Sequence, residues 1–261
     1  MRYIYIYKSL FFANLARVVA YKKNFLSQII SSLGWGVFSI LTILLLTSRV
    51  SVVFGWTRNE LIFLVVIVNV IYGVYRMLFD INFWNFSQVI HRGQLDQILL
   101  KPVDSQFQMS LWYLDFSGIL RVIIAIIMAI YLVFIFHFSV TLTSVFIFIV
   151  LSIISLIVLY SITFSILTIT IWFTKLSNLF DLINTGMSAS KYPKEMYQGL
   201  NGFAFFFLFP VVIIISTPTK ALIQKGNVSD ALFLAIFAVI FFTFSRVFWK
   251  FALRSYTSVS G

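Results

Sequence analysis

Cysteine is absent from this chain of 261 residues, which excludes disulfides, thiolate metal sites and cysteine nucleophiles. Only two histidines occur, so a histidine-based metal centre is not expected either. No Gly-x-x-x-x-Gly-Lys-Ser/Thr phosphate loop is present, and the chain therefore does not use ATP by that route. No loop gathers His, Asp and Glu into a constellation of the kind a membrane enzyme would need. Charge of any sign is scarce, at 10% of residues, while 61% are hydrophobic. Soluble domains run at about 25% and 45–50% respectively, so this composition falls outside the soluble class.

What fills the chain is a series of apolar stretches of about 20 residues, the length needed to cross a hydrocarbon core of about 30 Å. The expected class is an all-α integral membrane protein with several spans. A formal charge of +11 on a soluble protein would suggest nucleic acid. Here the Lys and Arg residues border the spans, and no basic stripe with interleaved aromatics accompanies them, so no nucleic-acid partner is expected. The opening "MRYIYIYKSLFFANLARVVAYKKNF" lacks an unbroken apolar core and a small-residue cleavage site, and does not read as a signal peptide. Phe11, Leu15, Val18 and their neighbours give Tyr3–Tyr21 an apolar side, so residues 1–24 read as an interfacial amphipathic segment preceding a membrane domain over 25–261.

Hydropathy places spans at Phe25–Leu46, Leu61–Phe79, Leu111–Phe136, Leu142–Trp172 and Ala231–Phe251. Between the last two, one further crossing is needed, and two layouts supply it. Leu200–Ser216, broken by Pro210, can cross while Leu176–Ser190 lies on the surface; or Leu176–Ser190 crosses and Leu200–Ser216 dips in and returns. Hydropathy alone prefers the first. Either way there are six crossings with both termini on one side. Arg2, Lys8, Arg17, Lys22 and Lys23 ahead of the first span make that side cytosolic.

Ionisable residues cluster near span ends. Arg76 and Asp80 are four apart and positioned to form an intramembrane ion pair. Asp115 reads as lying at headgroup depth, and Arg121 and Arg246 as snorkelling to an interface. Asn178, Asp181, Thr185 and Ser188 fall at steps of three and four and give Leu176–Ser190 a polar face. If that segment crosses, the face is a candidate lining for a translocation path.

One polar island interrupts the chain, "HRGQLDQILLKPVDSQF", His91–Phe107. Leu95, Ile98 and Leu99 share a helical face, Gly93 breaks the start, and Pro102 makes Lys101 a boundary. The spacing predicts a short amphipathic helix in a cytosolic loop. Two readings remain from physics: a connector resting on headgroups, or a docking element for a separate subunit that supplies power.

The island resembles the Gly-x-Leu-Asp-x-x-Leu-Leu-Lys/Arg-Pro segment of type-2 ABC exporter permeases, in the branch of daunorubicin or viologen type. "KYPKEMY" with the following Pro-containing apolar run resembles a second block of that branch, although Ser216-Thr217-Pro218-Thr219 replaces the usual tyrosines and alanine. "FWKFALRSYTSVSG" resembles its ending. The resemblance implies a six-helix permease subunit of the cell membrane, of bacterial type, with a cytosolic coupling helix and an extracellular re-entrant hairpin before the last helix. It implies a homo- or heterodimer that exports a hydrophobic or amphipathic molecule using separate ABC ATPase subunits. ATP and Mg would then belong to those partners, with no cofactor and no catalytic residue in this chain. Carried over, Arg92, Gly93, Leu95, Asp96, Ile98, Leu99, Lys101 and Pro102 form the ATPase contact, with Leu95 and Leu99 as its apolar knob. The rival reading is a stand-alone secondary transporter or channel, which would need a buried ion-coupling site that the sequence does not display.

Overall fold

The structure is a computed structural model that describes residues 2–48, 52–173, 179–197 and 202–257. Helix α1, Arg2–Ala20, runs into α2, Lys22–Leu46, through a single bend residue. Backbone hydrogen bonds bridge the bend, from Tyr21 N to Arg17 O at 3.0 Å and from Phe25 N to Tyr21 O at 3.1 Å. A two-stranded hairpin follows, β1 at Val52–Val53 against β2 at Trp56–Thr57. Its turn places both Phe54 and Gly55 at positive φ, the geometry that matches strand twist in tight hairpins.

Helix α3, Arg58–Tyr75, starts at a capping box in which Thr57 Oγ1 accepts from Glu60 N and Glu60 Oε2 accepts from Thr57 N. It continues through a π-helical turn, Arg76–Asp80, into α4, Ile81–His91. Together they make one 34-residue rod, about 50 Å long at ~1.5 Å per residue. The helix thus continues twelve residues beyond Phe79, where hydropathy ended the span, and the rod is longer than a hydrocarbon core of about 30 Å. Short α5, Gln94–Leu99, and α6, Ser105–Leu111, come next, and then α7, Ser117–Ile135. The third span thus begins six residues later than hydropathy placed it, because residues 112–116 form a loop. Helix α8, Leu142–Thr168, ends in a 3-10 turn, Ile169–Ile171. Beyond it lie α9, Leu179–Met187, 3-10 turns at Ser188–Lys191 and Lys194–Tyr197, α10, Gly202–Leu222, and α11, Val228–Arg254. Among the described residues, five helices are long and apolar enough to cross a membrane: Lys22–Leu45, Arg58–His91, Ser117–Ile135, Leu142–Ile171 and Val228–Arg254.

Helix α3 forms the centre, with Phe63, Val66, Ile67 and Ile71 almost wholly buried. It crosses α7 antiparallel at two glycines. A Cβ on Gly118 would stand 2.6 Å from Gly73 O, so only a residue without a side chain permits this approach. Arg121 on α7 donates from Nε and Nη2 to Asn69 Oδ1 at 3.0 and 2.8 Å, and Asn69 Nδ2 donates to Ser39 Oγ on α2 at 3.1 Å. Arg121 therefore holds three helices together rather than snorkelling. The widened π turn exposes the Met77 carbonyl, which accepts from Asp115 N at 2.9 Å. That bond draws Asp115 in, and Arg76 Nε donates to its Oδ2 at 3.1 Å. The expected Arg76–Asp80 pair is corrected to Arg76–Asp115, and Asp115 is buried within the protein.

Helices α8 and α11 lie side by side and run in the same direction. Phe164 meets Trp249, and eight residues further along α8, Trp172 meets Phe248 and Phe251. The chain between two parallel neighbours has to travel back along the bundle. Lys194 and Glu195 have made that journey. Lys194 pairs with Asp230 at the start of α11, and Glu195 accepts from Trp56 Nε1 of the hairpin at 2.9 Å.

Ion pairs tie the hairpin end together. Lys220 bonds Glu195 and lies over the Trp56 ring, while Lys225 pairs with Glu60. Burial alone would raise the Glu195 carboxyl, but hydrogen bonds from Lys220 and Trp56 outweigh it and hold it below the usual range. A depressed carboxyl contributes stability that is complete above its ordinary value of about 4.3 and is lost as pH falls through the lower folded value. Unfolding in detergent should therefore show a loss of stability below about pH 4. Glu195→Gln is expected to be less stable at neutral pH and to lose less on acidification. An unchanged acid response in that variant would remove Glu195 from the account.

Candidate functional site

The polar island folds at the end of the bundle where α1 lies. Gly93 turns the chain sharply out of α4 at φ +66°, a left-handed conformation that glycine adopts without strain. The turn aims α5 back toward the bundle. Leu95 is fully buried in the protein's own core, and Ile98 is half-buried beside it. Leu99 is 40% exposed and Leu100 85% exposed. The expected apolar knob of Leu95 and Leu99 is thus corrected. Leu95 anchors α5 inward, and the outward pair is Leu99 with Leu100. Arg92, Lys101 and Pro102 are exposed around that pair, and Asp96 is half-buried. Burial raises the Tyr256 phenol, and the Asp96 carboxylate beside it pushes the same way, which places the chain after α11 against α5.

The second half of the island clasps the end of α11. Asp104 accepts from Arg246 Nη1 and Nη2, both at 2.9 Å, and caps α6 by accepting from Phe107 N at 2.9 Å. Arg246 Nη1 also donates to Gln106 Oε1 at 3.0 Å, so it is a clasp rather than a snorkelling cation. Gln106 Nε2 donates to Tyr160 Oη on α8 at 2.9 Å, and Trp249 Nε1 donates to Ser105 Oγ at 3.0 Å. Burial opposes ionisation of Asp104, but the Arg246 and Phe107 hydrogen bonds prevail and its carboxyl lies below the usual range. Arg246→Ala should cost about 1–2 kcal/mol after allowance for partial exposure, read by unfolding in detergent. Arg246→Lys should recover only part, since an ammonium cannot make the paired contact. Full recovery in the lysine variant would show that the bidentate geometry is immaterial.

The loop after α6 is held as firmly. Asn82 on α4 exchanges two hydrogen bonds with Tyr113, accepting from its N at 2.9 Å and donating to its O at 2.8 Å. From α1, Asn14 donates to Trp112 O at 3.1 Å and Arg17 to Leu114 O at 3.3 Å. Helix α5 is therefore joined through its neighbours to α1, α4, α8 and α11.

The second predicted site lies elsewhere. On α9, Phe180 and Ile183 are buried, with Phe180 meeting the Phe83 and Trp84 rings of α4. Asp181 and Thr185 are exposed and Ser188 is half-buried, so these three share the outward side of the segment. Thr185 Oγ1 donates to Asp181 O at 2.9 Å and Ser188 Oγ to Thr185 O at 2.6 Å. Asn178, the fourth member of that face, lies outside the described residues. Sequence reasoning passed over Leu100, Gln106, Tyr160 and Trp249. For Leu100 the double leucine before Lys-Pro was an available signal; the others are defined by contacts distant in sequence.

A bundle with five helices long and apolar enough to cross a membrane, among the described residues, defines a multi-pass membrane protein. Residues 33–260 match the family described as ABC-2 family transporter protein, and the chain belongs to that family. No curated protein and no solved structure shows significant similarity to it.

Proposed function

We propose that this chain is the transmembrane subunit of an ATP-driven exporter, with α5 as the coupling helix that docks on a separate ATPase subunit. The observation that carries the reading is the Leu99–Leu100 tip, 40% and 85% exposed, on a helix braced to the long helices. An exposed leucine pair beyond the hydrocarbon, flanked by Arg92 and Lys101, fits an apolar cleft with a polar rim. In this reading the α1 end is cytosolic. The chain crosses a sixth time over the segment that contains α9, and α10 is the returning arm of a re-entrant excursion that starts beyond Tyr197 and ends at Leu222. The Lys194, Glu195 and Lys220 contacts at the hairpin end support that layout, since they put both segments at one end of the bundle. Two permease copies, alike or similar, would meet with Asp181, Thr185 and Ser188 facing the seam along which a hydrophobic or amphipathic cargo passes.

Affinity purification of the tagged full chain from its native membrane tests the proposal. A subunit carrying a phosphate-loop motif is expected to accompany it, with export that stops when ATP is withdrawn. A chain that purifies alone and transports without ATP would overturn the reading in favour of a stand-alone transporter. Sidedness is tested with the cysteine-free chain itself. An impermeant maleimide applied outside cells should label Ser229→Cys and spare Lys250→Cys, and the reverse would invert the topology.

A further inference from the structure

The β1–β2 hairpin has one side committed to the protein and one side that is not. Trp56 is only 2% exposed, with its Nε1 bonded to Glu195 and Lys220 lying over its ring. Val53, its cross-strand neighbour, is half-buried with it. The other side carries Val52, 55% exposed, and the turn carries Phe54, 62% exposed. Arg58, the first residue of α3, is also exposed, and no described carboxylate pairs with it.

Phe54 is doubly out of place for a turn in water. Its φ of +50° lies in the left-handed region, which a bulky aromatic residue enters at a cost and which Asn, Asp or Gly enters readily. Its ring adds a second cost, since most of that apolar surface is left uncovered by the protein.

The position supplies the missing cover. The hairpin joins two helices long and apolar enough to span, and Leu41 and Leu45 carry the exposed apolar side of α2 up to its last turn. With two residues in each strand at ~3.4 Å per residue, the tip stays within about 10 Å of Arg58. That is little more than the headgroup layer, about 5–7 Å on each face of the hydrocarbon core. An apolar tip with a cation at its base, held at that depth, has the chemistry of elements that lie in the membrane interface.

We infer that this hairpin is an interfacial anchor, with Phe54 and Val52 at the boundary between headgroups and acyl chains and the Arg58 guanidinium among the lipid phosphates. Trp56 ties the anchor to Glu195 and Lys220, so the leaflet is part of what holds this ion-paired end of the bundle. The inference depends neither on an ATPase partner nor on which leaflet this is.

The test uses the full chain, whose lack of cysteine lets one position at a time carry a nitroxide. In vesicles of phosphatidylcholine and phosphatidylglycerol, collision with oxygen, which concentrates in the bilayer, is compared with collision with an aqueous nickel chelate. A label on Phe54→Cys should favour oxygen, as should one on Ile126→Cys at an exposed position midway along α7. A label on Arg58→Cys should be reached by the chelate. A label at position 54 reached mainly by the chelate would leave the hairpin in water, and one shielded from both reagents would put protein on it; either overturns the anchor. Phe54→Asn supplies an independent reading, because Asn suits the left-handed turn. With the ring in water, that replacement should raise the melting temperature. With the ring in lipid, its loss should outweigh the gain and lower the melting temperature in lipid nanodiscs by about 2–4 °C. An unchanged or higher melting temperature there would equally overturn the anchor.

Discussion

Gly118→Leu is expected to prevent α7 from seating on α3 and to lower stability more than any other single glycine replacement. A Cβ at this position would lie 2.6 Å from Gly73 O, 3.0 Å from Met77 N and 3.1 Å from Met77 Cβ. Two of those neighbours are backbone and cannot rotate away. Overpacking against side chains costs about 1–3 kcal/mol, and a clash with backbone in a close helix crossing should reach or exceed the top of that range. The damage spreads, because Arg121–Asn69 and Arg76–Asp115 lie along the same seam and need the same spacing. Gly73→Ala should be milder, since its closest obstacle is the Val122 Cγ2 methyl at 2.6 Å, which can shift. Gly34→Ala meets nothing within 4 Å and should be neutral or slightly stabilising. Melting temperature and monodispersity in detergent read all three. Comparable losses in Gly118→Leu and Gly34→Ala would show that the two helices do not cross this closely.

The spans were legible because an apolar run of sufficient length has few alternatives, but their ends depend on partners that hydropathy does not see. Hydropathy ended the second span at Phe79, before the polar residues Asn82, Asn85 and Gln88. The chain stays helical there because Asn82 exchanges hydrogen bonds with Tyr113, 31 positions away. The π turn at Arg76–Asp80 had no signal in composition, and it redirected Arg76 from a neighbour four residues on to Asp115, 39 residues on. The Asp104–Arg246 clasp spans 142 positions and was likewise invisible, although both residues stood out as charges in a chain that has few. The polar face of α9 could be read directly, since a 3.6-residue period is a local property. What that face meets is not.

Leu95 and Leu100 show the same division within six residues, and they provide the sharpest functional test. Helical spacing gave α5 an apolar side but could not say whether that side met the protein's own core or another chain. The +66° turn at Gly93 decided it, tucking Leu95 inward and leaving Leu100 out. Leu100→Asp should therefore change the stability of the purified chain by no more than about 0.5 kcal/mol, as surface substitutions do. If the tip fills a cleft on an ATPase, the same change places a carboxylate in a desolvated contact. That should weaken association by at least about 2 kcal/mol, or roughly 30-fold, with ATP-driven export falling accordingly. Leu95→Asp should behave oppositely, burying an unpaired charge and unfolding α5 whether or not a partner is present. Loss of association in Leu95→Asp alone would report only a broken fold. Loss in Leu100→Asp with stability intact identifies the docking tip, whereas full association and export in Leu100→Asp would move the power input to another surface of the chain.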